Sequence, residues 1–179
     1  MKLSMHSLAA DSFAPMLGSL AACLEKGFAE KGAAVDLVNA RLAPDMFTLA
    51  QQVQQACHYA TDGMAQLAGR PPVKMAAAAT TAAGLKTQIA DALDAVRSVP
   101  ASAFDGAEAR DCSIEIPGNK VIEMDGVRYL RAWALPHFYF HVVTAYDILR
   151  HCGVRIGKSD YLSQVGGFIR LRAGPLGPR

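Results

Sequence analysis

The chain holds 179 residues with a formal net charge of +2, and 51% of them are hydrophobic against 19% charged. That composition excludes a disordered chain, and the near balance of charge gives no footing for nucleic acid as the main partner. No run of about 18 apolar residues occurs, so no membrane-crossing helix is expected. The opening Met1-Lys2-Leu3-Ser4-Met5-His6 lacks the apolar core and cleavage pattern of a signal peptide. Cys23, Cys57, Cys112 and Cys152 are scattered, with no Cys-x-x-Cys pair, and read as free thiols in a reducing cytoplasm.

A first helix is predicted from about Ser4 to Lys31, with Leu8, Phe13, Met16, Leu17, Leu20, Cys23, Leu24 and Phe28 on one face at steps of three and four. Pro15 is expected to kink or restart it. A second helix is predicted to open at Ala43-Pro44-Asp45 and run to about Leu67, stopped by Gly69-Arg70-Pro71-Pro72. The third spans Thr80 or Thr81 to about Val96.

The periodicity then changes. Cys112-Ser113-Ile114-Glu115-Ile116 and Val121-Ile122-Glu123-Met124 flank the turn Pro117-Gly118-Asn119-Lys120, which predicts a β-hairpin over about residues 112–124. A fourth helix is predicted from near Pro136 to His151 or Cys152, and a shorter one from Ser159, as N-cap, to Phe168. These elements specify a mainly all-α fold, a helix bundle with a small inserted hairpin, in one domain over residues 1–170. Residues 171–179 are expected to be a loose tail. Residues 153–179 set five cations against Asp160, a net +4 that leaves −2 for residues 1–152, and an ordinary solvated tail accounts for it.

The chemistry-bearing pattern is His137 and His141, four apart on one helix face. Two imidazoles on successive turns can share a metal ion, although the intervening glutamate of the His-Glu-x-x-His motif is missing. His58 on the second helix is the candidate third ligand, beside Gln51, Gln54, Gln55 and Asp62. Three histidines would leave coordination positions open, as catalytic sites do. The competing reading makes all three structural, packed among Phe138, Tyr139, Phe140 and Tyr146 or facing solvent. His151 lies ten residues beyond His141, about 15 Å along a helix and too far to share an ion. Gly157-Lys158-Ser159 is not a P-loop, since the earlier glycine it requires is replaced by Cys152.

Arg41-Leu42-Ala43-Pro44-Asp45-Met46-Phe47-Thr48-Leu49 and Ala134-Leu135-Pro136-His137-Phe138-Tyr139-Phe140-His141-Val142 resemble a bacterial family of unknown function in the DinB/YfiT-like group of metalloenzymes. The resemblance covers nearly the whole chain. It implies a DinB-like four-helix bundle, commonly a homodimer, with a divalent metal (nickel or zinc) held by His58, His137 and His141. It also implies a thiol-dependent transferase, isomerase or hydrolase, in which a low-molecular-weight thiol is activated and Gln54 or Asp62 orients a ligand. The alternative is a metal-free dimeric bundle that binds a small molecule or a protein.

Overall fold

The computed structural model describes residues 3–170, so the expected tail at 171–179 lies outside the described residues. Helix α1 covers Met5–Lys31, capped by Ser4, whose hydroxyl accepts from the Ser7 amide. Pro15 neither breaks nor restarts it. The window within Met5–Ala34 is long and apolar enough, by length and composition, to cross a bilayer. In the bundle that apolarity serves the core, where Phe13, Leu17, Leu20 and Leu24 are buried.

Helix α2 is Leu49–Leu67, so it starts later than the Ala43-Pro44-Asp45 signal predicts. Thr48 and Gln51 explain the shift. The Gln51 amide donates to the Thr48 hydroxyl (3.3 Å) while the Thr48 amide donates to Gln51 Oε1 (2.9 Å), a reciprocal cap that satisfies two donors at once. Pro44 and Asp45 form instead a turn held by the Arg41 guanidinium, which donates to the carbonyls of Pro44 and Met46.

A strap, residues 69–80, carries the chain to α3, Ala82–Ser98, which is capped by Thr81. The strap makes no regular structure, and side chains of α2 and α3 hold its backbone. Gln54 donates to the Ala76 carbonyl (2.5 Å), Gln88 to the Ala77 carbonyl (3.1 Å), and the Val73 amide donates to Asp62 (2.8 Å).

After short 3-10 turns come β1, Asp111–Ile116, and β2, Lys120–Asp125, antiparallel and paired from Asp111↔Asp125 to Ile116↔Lys120. Gly118 (φ 88) and Asn119 (φ 54) supply the left-handed backbone that the turn needs.

The last long helix begins earlier than Pro136. One turn, α4 (Gly126–Arg128), is capped by Asp125 and leads into a π-helical stretch, Tyr129–Ala134, and then α5, Leu135–His151. Proline inside a helix lacks a donor and crowds the carbonyl four residues back, and the wider π turn before Pro136 gives room for both. Gly126 is required at this start, because a Cβ there would stand 1.8 Å from the Ala107 carbonyl oxygen.

Ser159 is not an N-cap. The turn α6, Lys158–Tyr161, is held by the Asp160 carboxylate accepting from the Gly157 amide (2.7 Å), and Ser163–Phe168 continues as 3-10 turns.

Around the bundle α1 neighbours α3, α3 neighbours α2, α2 neighbours α5, and α5 returns to α1. Phe13 of α1 and Phe138 of α5 meet edge to face across the centre, with ring centroids 5.0 Å apart. The pairing that matters for chemistry is α2 against the α4–α5 rod.

Candidate functional site

His141 is buried, and its Nδ1–H donates to Oε1 of Gln52, itself buried, at 2.7 Å. One turn earlier, the half-buried His137 donates its Nδ1–H to the Trp133 carbonyl at 2.8 Å. A carbonyl oxygen can only accept, so both rings carry a proton on Nδ1, and the neutral form of each has its lone pair on Nε2. Burial, with His137 nearby as a lesser cause, pulls the His141 imidazole down to about 4, so it is neutral at physiological pH.

The ring that stands against this pair is Tyr59. It stacks on His137 at 4.7 Å and on His141 at 5.6 Å between centroids. Trp133 tilts over His137 at 4.2 Å, and Phe47 and Phe140 flank His141 at 6.4 and 5.2 Å. Helix geometry accounts for the choice of Tyr59. Residue 59 lies seven beyond Gln52, within about 20° of it around α2, so both face α5, whereas His58 is turned about 100° away.

His58 therefore faces a different space. It lines a cavity with Asp62 and Gln66 of α2, Pro72 and Val73 of the strap, and Ser113, Ile114 and Glu115 of β1. Burial lowers its pKa, opposed by Asp62 one turn on. Its Nδ1 is buried and has no hydrogen-bond partner.

Asp62, 6% exposed, is held at both oxygens. Oδ1 accepts from the Val73 amide at 2.8 Å, and Oδ2 accepts from Gln66 Nε2 at 2.7 Å and from the Tyr129 hydroxyl at 3.0 Å. Tyr129 is fully buried, and that burial together with the Asp62 charge pushes its phenol well above the usual range.

The three histidines named from the sequence are thus divided: His137 and His141 share the Tyr59 ring, and His58 belongs to the cavity. Among the described residues no group of three or more His, Cys, Asp or Glu is placed so that it could hold a metal ion. Gln51 caps α2, Gln54 and Gln55 reach the strap at Ala76 and Met75, and Asp62 serves Tyr129. His6 donates to the Val99 carbonyl (3.0 Å), and His151 is exposed in the last turn of α5. Cys57 is buried and its thiol is pushed up to about 12 by that burial, which makes it a poor nucleophile. The sequence pattern had missed Gln52, Tyr59, Trp133 and Tyr129. A glutamine and a tyrosine two turns apart on α2 were the available signal for the first two.

Four packed helices, a hairpin inserted before the last long one and a His-x-x-x-His pair on that helix define a DinB-like bundle. A crystal structure of a DinB family member protein from Shewanella denitrificans is similar to this chain, with a TM-score of 0.75 and 35% sequence identity over 88% of this chain and 90% of that one. Residues 5–162 match the family model described as a domain of unknown function, DUF1993, and the chain belongs to that family. No curated protein matches it.

Proposed function

We propose that the chain is a ligand-binding bundle whose working surface is the α2–α5 edge, where His137 and His141 accept hydrogen bonds from a small molecule. One observation carries this reading. Both Nδ1 protons are committed to fixed acceptors, Trp133 O and Gln52 Oε1, which leaves two Nε2 lone pairs on successive turns beside stacking aromatic rings. The residues do not fit a three-histidine ion, because the side chain α2 places against the pair is Tyr59 and not His58. A ligand with N–H or O–H donors on a flat face matches two acceptors and an aromatic wall.

A second reading is favoured by the same Nδ1 bonds. Metal-bound histidines keep their other nitrogen on a carbonyl or amide oxygen in this way, so His137 and His141 could hold a nickel or zinc ion as two protein ligands. Metal content of the untagged protein, followed by titration with nickel and zinc, separates the two. The first reading expects no stoichiometric metal and no saturable uptake. It also expects the His137 and His141 ring signals in NMR to shift with neutral heterocycles bearing N–H groups. About one equivalent of metal, lost in His137→Ala and kept in His58→Ala, would establish the second reading; loss in both variants would mean that His58 joins the pair when an ion is bound.

A further inference from the structure

The cavity beside His58 has a chemistry of its own. It measures about 480 Å³, inside the range of small-molecule sites and far larger than a single ion needs. Its floor is the Asp62 carboxylate, buried and bonded to three donors, Val73 N, Gln66 Nε2 and Tyr129 Oη, every one of them neutral. The ion pairs among the described residues lie elsewhere, at Lys26–Asp160, Glu30 with Lys31 and Arg155, and Asp125–Arg128. A buried carboxylate without a cation is costly, and its Oδ1, with one bond made, keeps an acceptor position.

Glu115 of β1 adds a second carboxylate to the lining. His58 Nδ1 is sealed without a hydrogen-bond partner, and because an orphaned lone pair there costs less than an orphaned N–H, the burial favours the tautomer with the proton on Nε2. This is the opposite tautomer to that of His137 and His141. Pro72, Val73 and Ile114 supply the apolar part of the lining, and Gln66 and Ser113 complete it. Past Gln66 and Ser113 the adjoining hollow carries Arg70 and Arg110 against the single carboxylate of Asp111, a positive balance. That arrangement disfavours a second positive charge on a ligand extending in this direction.

We propose that this cavity binds a small organic monocation, a protonated primary amine, with its ammonium between Asp62 and Glu115 and its carbon chain against Val73 and Ile114. The site is separate from the imidazole pair and does not depend on the function proposed for it.

Calorimetric titration with hexylammonium, hexanol, hexanoate and the corresponding terminal diammonium tests it, since the four share one chain and differ in charge. Saturable binding of hexylammonium at one site is expected, at least about tenfold stronger than hexanol, hexanoate or the dication. Asp62→Asn should abolish it. Asp62 is structural, so two exposed wall positions carry the test if that variant does not fold. Glu115→Gln should weaken hexylammonium at least about threefold, and Ser113→Trp, which fills the cavity from the hairpin, should remove binding while the helical circular dichroism stays unchanged. Equal affinity for hexylammonium and hexanol, or unaltered binding in Glu115→Gln and Ser113→Trp, would overturn the proposal.

Discussion

Between about pH 6.5 and 4 the His141 imidazole takes up a proton in the unfolded chain and not in the folded one, because burial holds its folded pKa down to about 4. The unfolded state then binds more protons, so stability is complete above about pH 6.5 and falls as the pH drops through that window. His58, also lowered by burial, acts with the same sign. The expected loss is about 2 kcal/mol from His141. Denaturant unfolding at stepped pH should show it, with a flatter profile for His141→Gln. The Asp62 network is tested at the same scale by Tyr129→Phe. That substitution keeps the buried ring but removes one donor from a carboxylate already bonded at both oxygens. It should cost about 2 kcal/mol in urea melts, without altering helix content.

Two substitutions separate the observed elements from the ones the sequence predicts. If α2 began at Ala43, Thr48 would be an interior residue, and Thr48→Ala would raise stability slightly through better helix propensity. As the N-cap, with the Gln51 amide on its hydroxyl, Thr48 should instead lose about 1 kcal/mol on becoming alanine. Gly126→Ala drives a methyl into the Ala107 carbonyl and should cost about 3 kcal/mol, lowering the melting temperature by roughly 6–12 °C. The helices and hairpin were legible because their signals are local. Phe13, Leu17, Leu20 and Leu24 mark α1, and Thr81 and Gly118 mark a cap and a turn. The start of α2 was misread because proline near an acidic residue imitates a first turn, and only the Thr48–Gln51 reciprocity decides between the two starts. Nothing local foretells the π-helical stretch, which exists because Pro136 lies within a rod that continues from Gly126.

For the whole molecule, the legible part was that α2 and the last helix would face each other with histidines between them. Which edge of α2 faces α5 was not legible, and a difference of about 100° decides between His58 and Tyr59. The Asp62–Tyr129 bond joins residues 67 positions apart and leaves no trace in periodicity. The expected homodimer is a proposal with a definite test. Phe47, Phe140 and Val143 are 45%, 59% and 40% exposed near the imidazole pair, and apolar surface of that kind marks interaction faces. Sedimentation should give a dimer that Phe140→Asp converts to monomer; a wild-type monomer at all concentrations would dismiss it.

The π-helical stretch sets the angular phase of one region against the other. Tyr129, at its start, addresses the carboxylate floor of the cavity, while Trp133, near its end, supplies the carbonyl that orients His137. Deleting Arg131, an exposed residue between them, would remove one step of winding and swing Tyr129 by that step's angle relative to α5. The step is smaller in the wide π turn than the roughly 100° of an α-helical one. The Trp133–His137 spacing would be untouched. Such a variant should uncouple Asp62 from its phenol while the two imidazoles keep their tautomers, as ring nitrogen shifts would report. A single residue of chain length thus acts as the gear tooth between a carboxylate pocket and an imidazole face.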